Sequence, residues 1–168
     1  MKPWTDGFMQ NFIDEGLDKT DVAALWYNVG EKTDIIRKKF DSAIEKRLVK
    51  TIYKKISDWC ENHNIALVGH PADSQDIGLL KYFQIPGQDL IFRRVAPENN
   101  MGVCGPETTQ AKCSSDAARH RNRKRNLNEC FACSGKNSNE WTFSADDMKW
   151  MTDWLILRGV NMIVPHAF

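Results

Sequence analysis

Four short strand-like runs, set apart by helical stretches, constrain this chain more than any other feature. They are Ile65-Ala66-Leu67-Val68-Gly69, Leu90-Ile91-Phe92, Arg125 to Asn128, and Val160-Asn161-Met162-Ile163-Val164. The first and last are almost wholly apolar, as expected of strands buried on both faces. Leu90–Phe92 and Arg125–Asn128 are weaker examples of the same signal. Helical patterns precede each run. The order from residue 31 onward is therefore α-β-α-β-α-β-α-β. Alternation of this kind points to an α/β fold with a parallel sheet and covering helices.

The first helical pattern is the longest. Ile36, Phe40, Ile44, Leu48, Ile52 and Ile56 recur every four residues, and Trp59 closes the series. They form one apolar stripe on an amphipathic helix reaching to about Asn62. Lys38, Lys39, Lys46, Lys50, Lys54 and Lys55 lie off the stripe. The length leaves room for an internal break. A coiled coil would need spacings averaging three and a half, and a run of fours drifts off that seam. Residues 1–30 carry little periodicity and read as an irregular segment anchored by Leu25-Trp26-Tyr27.

Further along, Asp73 or Ser74 can cap a helix over Ile77, Leu79, Leu80 and Phe83. Pro86-Gly87 reads as a turn, and residues 95–106 as a loop. A helix is expected from about Glu107 to Arg121. Ser144-Ala145-Asp146-Asp147 resembles a capping box opening a helix through Leu155, with Gly159 just past its end. One domain over 1–168 is the expectation. The 168 residues have a formal net charge of +1, which gives no whole-molecule case for nucleic acid or an anionic membrane. No stretch approaches the roughly 20 apolar residues that span a bilayer. Met1-Lys2-Pro3-Trp4-Thr5-Asp6 has no apolar core of a signal peptide. Five cysteines, irregularly spaced, read as reduced thiols of a cytoplasmic protein.

In a parallel sheet the C-terminal strand ends share one face, where such folds bind ligands. His70, Asn128, Glu129 and His166 all fall at those ends, so three strands supply one polar cluster suited to acid/base work. Trp141, in a loop, could stack on a sugar ring, whereas Trp150 and Trp154 read as core. Two other chemistries compete. Cys104, Cys113, Cys130 and Cys133 could hold zinc, with His120 replacing one of them, but only Cys130 and Cys133 form a close pair. The basic run Arg119-His120-Arg121-Asn122-Arg123-Lys124-Arg125 could touch phosphates, yet it also sits where a helix ends and cations complement its carbonyls. No metal and no cofactor are expected.

At Asn126-Leu127-Asn128-Glu129 the sequence resembles the clan A glycoside hydrolases, whose (β/α)8 barrels carry an Asn-Glu pair at the end of the fourth strand. Lys112 to His120, followed by the basic link, looks like the helix-to-strand passage of rhamnosidase-like and β-galactosidase-like bacterial glycosidases. Gly69-His70-Pro71, Ile85-Pro86-Gly87-Gln88-Asp89, and Gly159-Val160-Asn161 with Pro165-His166 look like strand ends of the same barrels. The resemblance implies a TIM-type barrel of which about half is present, through a fifth strand. It implies Glu129 as acid/base of a retaining mechanism, Asn128 on a sugar hydroxyl, and His70 and His166 lining the sugar subsite. The nucleophile would lie outside this chain, on a complementing C-terminal half barrel or in a homodimer. The alternatives are a zinc-stabilised module using the four cysteines and residues 119–125, or a non-catalytic carbohydrate-binding half barrel.

Overall fold

The structure is a computed structural model that describes residues 4–73, 75–90, 100, 102–132, 134–135 and 139–166. The chain divides into two compact units, Met1–Ile56 and Ser57–Phe168. The boundary falls inside the long helical pattern, where composition gives no signal of a division.

The first unit is built on aromatic packing. Helix α1 (Phe8–Asp14) and a 3-10 helix (Lys19–Leu25) occupy the segment read as irregular. Each is too short to show periodicity on its own. Phe8 and Phe12, one turn apart, bury against Phe40, with Leu17, Ala24, Leu25, Ile36 and Ala43 completing the core. The 3-10 helix is opened by a capping box between Asp18 and Asp21. Arg47 ties α1 to helix α2 (Thr33–Leu48) through Asn11 Oδ1 at 2.7 Å.

The long helical pattern is broken. A π-helical turn over Val49–Tyr53 separates α2 from α3 (Lys54–Asn62). A π turn holds an extra residue, so it rotates whatever follows about the helix axis. The expected stripe consequently stops at its middle. Ile36 and Phe40 are buried, whereas Ile52, Ile56 and Trp59 are 45%, 45% and 54% exposed. Ser57 and Cys60 are the buried residues of α3 instead.

The second unit is α/β, with a curled half-barrel sheet of four parallel strands in the order β1-β2-β3-β4. They are β1 (Val68–Gly69), β2 (Ile85–Asp89), β3 (Leu127–Cys130) and β4 (Ile163–Pro165). Neighbouring strands pair in chain order, the arrangement that successive right-handed crossovers produce. Among the described residues there are four strands, one fewer than the resemblance implied, and Glu129 lies on the third.

Several elements differ from their expectations. Pro86-Gly87 is not a turn but the middle of β2. A Cβ at Gly87 would stand 2.5 Å from the Gly69 carbonyl oxygen and 3.0 Å from Leu127 Cδ1, so only glycine lets β1 and β2 approach this closely. Leu90 follows β2 and is buried, and Ile91 and Phe92 lie outside the described residues. The helix expected over Ile77–Phe83 is a four-residue 3-10 turn, Leu79–Tyr82, with Asp76 accepting from the Leu79 amide. The helix expected from Glu107 becomes a 3-10 turn (Pro106–Thr109) and then α4 (Lys112–His120).

Helix α5 (Ala145–Leu157) matches its reading. Ser144 and Asp147 form the reciprocal cap, and Gly159 takes φ +90° just beyond the end. Met151, Trp154 and Leu155 of α5 pack with Leu90, Ala111, Cys130 and Val160 in the core of this unit. Trp154 is core as expected, and the Arg158 guanidinium lies over its ring at 4.0 Å.

Candidate functional site

The end of β3 is where the polar strand-end residues meet. Glu129 pairs in register with Asp89 of β2 and Val164 of β4. Alternate residues of a strand face opposite sides, so Leu127 and Glu129 share one face while Asn128 and Cys130 share the other. Cys130 joins the helix-covered core on that second face. Glu129 therefore stands on the face away from that core, and its side chain is 35% exposed.

Two imidazoles flank it. His70 Nε2 lies 3.5 Å from Glu129 Oε2, and His166 Nε2 lies 3.9 Å from Glu129 Oε1. His70 directly follows β1 and precedes the fully buried Pro71. A residue before proline is restricted to extended backbone, which limits how His70 can turn. His166 follows Pro165, and its amide donates to the Cys130 carbonyl at 2.8 Å, which seats the residue on β3. Three strands thus bring one carboxylate between two imidazoles. The backbone beyond the carboxylate is constrained too. Phe131, two residues on, holds φ +77°, a conformation rare for an aromatic residue. Its ring packs on Phe143, with centroids 5.5 Å apart.

Asn128 is not brought to this cluster. It is fully buried and pairs in register with Gln88 and Ile163, on the opposite side of the strand from Glu129. Strand alternation separates the two halves of the Asn-Glu pair here, so Asn128 reaches no ligand at the Glu129 face. Trp141 sits on a 3-10 turn (Glu140–Thr142) with 93% of its surface exposed, so its ring packs against nothing at the cluster. Asp89 was not singled out from the sequence as a site residue. Its signal was present in Ile85-Pro86-Gly87-Gln88-Asp89 as a strand end, but the turn reading of Pro86-Gly87 hid the strand that carries it.

The described residues of the two rival chemistries have these surroundings. Cys130 is fully buried among Met151, Leu155 and Val160, and burial pushes its thiol up to about 12. Cys113 is also raised, chiefly by burial and then by Asp116, while Cys104 is exposed. Cys133 lies outside the described residues. Among the described residues no group of three or more His, Cys, Asp or Glu side chains is placed to hold a metal ion. The basic run closes α4: Arg121 donates to the Ala117 carbonyl at 3.2 Å, and Arg123 lies 3.9 Å from Glu61. In the first unit, Trp4, Phe8, Ile44, Arg47, Leu48 and Ile52 line a cleft of about 330 Å³ that is mostly apolar and lacks a carboxylate or imidazole. No helix among the described residues is long and apolar enough to cross a membrane. No protein-family model, no curated protein and no solved structure matches this chain.

Proposed function

We propose that the second unit carries the proton-transfer part of a glycoside hydrolase site, with Glu129 as general acid/base. The observation that supports this most is the meeting of His70, Glu129 and His166 from three parallel strand ends. A partly covered carboxylate at that end of a sheet can give a proton to a leaving glycosidic oxygen and then take one from water. The sequential parallel order is what half of a TIM-type barrel would have. The reading keeps His70 and His166 at the site but moves their role from the sugar toward Glu129. The retaining mechanism also needs a carboxylate nucleophile roughly 5 Å from the acid/base. We assign it to a complementing half barrel or a second copy of the chain. The substrate is a carbohydrate O-glycoside, the setting cytoplasmic.

The test is binding of a basic sugar analogue. An iminosugar, protonated at the ring nitrogen, mimics the positive charge that develops in such a transition state. Its addition should perturb the ring signals of His70 and His166 in a saturable way, and Glu129→Gln should weaken that binding at least about tenfold. Perturbation confined to other residues, or binding unchanged by Glu129→Gln, would count against the reading.

A further inference from the structure

The hydrogen bonding of His70 carries more than its position. Its Nδ1 lies 2.9 Å from the Pro71 carbonyl oxygen. A carbonyl only accepts, so the hydrogen of that bond belongs to Nδ1. In the neutral ring Nε2 is then the accepting nitrogen. It is Nε2 that faces Glu129 Oε2 across 3.5 Å. An imidazole lone pair and a carboxylate oxygen both accept, so a contact between them is attractive only when one proton lies between. That proton sits on Glu129 and points at Nε2, or sits on Nε2 and points at the carboxylate.

We propose that His70 is a positioning residue that shares a single proton with Glu129, its ring fixed as the Nδ1–H tautomer by the Pro71 carbonyl. Neutral imidazole in water carries its proton mainly on the other nitrogen, so this tautomer is imposed by the fold. Its backbone support is stiff. Gly69 holds φ +135°, Pro71 is fully buried, and Gly69 and Pro86 are register partners. Among the described residues, the charged and titratable groups around the pair include Asp89, beside Glu129 on β2, and His166 on its far side.

The inference rests on Glu129 as acid/base and adds which group its proton faces. When the glycosidic C–O bond breaks, the nucleophile carboxylate supplied by the complementing half bonds to the anomeric carbon, the electron pair of the broken bond goes to the leaving oxygen, and that oxygen takes the proton from Glu129. Glu129 is left as carboxylate. When water attacks, its oxygen bonds to the anomeric carbon, the bond from that carbon to the nucleophile breaks with its electron pair returning to the nucleophile carboxylate, and one water proton goes to Glu129, facing Nε2 again. No proton is gained or lost over the cycle. Between turns His70 offers the acid a partner inside the site rather than in solvent.

Long-range ¹H–¹⁵N correlation of the histidine rings in the full chain tests this without any turnover. His70→Asn identifies the His70 signals by their loss. The expected result is a hydrogen on Nδ1 of His70 throughout, with Nε2 bare wherever the ring is neutral. Glu129→Ala should retain that tautomer and move the Nε2 resonance. An Nε2–H tautomer in the wild type would overturn the proposal, because the ring would then be a fixed donor to Glu129. So would an Nε2 signal indifferent to Glu129→Ala, or one displaced by EDTA, which would place a cation between the groups. If the variant fails to fold, the wild-type tautomer still decides. In a form that turns over substrate, His70→Ala should lower kcat about tenfold on poor leaving groups, the worth of one hydrogen bond to a charged group, with KM nearly unchanged. Absence of turnover together with the Nδ1–H tautomer would count against the glycosidase reading and leave the shared proton standing.

Discussion

Glu129 and Cys130 are consecutive residues with opposite fates, and the pleat of β3 decides both. One side chain reaches a partly open face lined by imidazoles, while the other is sealed against α5. The sequence offers both as chemistry, because a strand end with Glu129 and a Cys130–Cys133 pair are written in the same few letters, and it favours Glu129. Burial separates them. The Cys130 thiol, pushed up to about 12 by burial, with smaller contributions from Asp89 and Glu129, stays uncharged through the neutral range. Alkylation with iodoacetamide at pH 8 should therefore modify the exposed Cys104 and spare Cys130 in the folded chain, as peptide mass mapping would read. The same shift has a sign for stability. Above the ordinary thiol value of 9.0 the unfolded chain gives up this proton, while the folded chain holds it to about 12. Folded stability should fall across that window, and Cys130→Ala should flatten this part of the pH–stability curve. Rapid labelling of Cys130 at pH 8 would place it outside the core.

At the scale of elements, legibility followed length and local chemistry. Helix α5 was readable because its cap, its first-turn carboxylates and its C-terminal glycine are all local signals. The alternation that gave the parallel sheet was readable for the same reason. The π turn was not: nothing in Val49–Tyr53 distinguishes it from the regular helix on either side. The stripe of Ile52, Ile56 and Trp59 was read as buried because sequence spacing assumes an unbroken 3.6-residue period. The local residue pattern hides strand β2, which only the resemblance marks as a strand end, for a different reason. Pro86 and Gly87 are turn residues by propensity, and their use here depends on a contact with Gly69 that lies 18 residues away in the chain. The same limit applied at the site, where the three strand ends could be listed but the alternation that removes Asn128 needed the register. Gly87→Ala tests that account of β2. Its Cβ would meet backbone at 2.5 Å and 2.8 Å, which no side-chain rearrangement relieves. A loss of about 1–3 kcal/mol in denaturant unfolding is expected, together with weaker amide protection at Ile85. A neutral effect would mean that β1 and β2 are not packed this closely.

At the scale of the whole molecule, the sheet leaves two edges. Among the described residues β1 pairs only with β2, and β4 only with β3. Val68 and Val164, on those outer strands, are 49% and 38% exposed. Open parallel edges with apolar side chains favour pairing with another chain. Sedimentation velocity should show a concentration-dependent dimer, weakened by Val164→Lys; a monomer at all concentrations would instead favour a separate complementing half barrel as the source of the nucleophile. The central claim concerns Glu129, and one rate comparison tests it most directly. Wild type and Glu129→Gln are assayed on aryl glycosides spanning poor to good leaving groups, with the complementing half barrel present. The amide cannot give or take a proton, so hydrolysis of poor leaving groups should fall by about 100- to 10,000-fold, as general acid catalysis is typically worth. Glycosidic bond cleavage for leaving groups that need no protonation should keep most of its rate. An equal loss across the series, or no loss at all, would contradict the assignment of Glu129 as the acid/base.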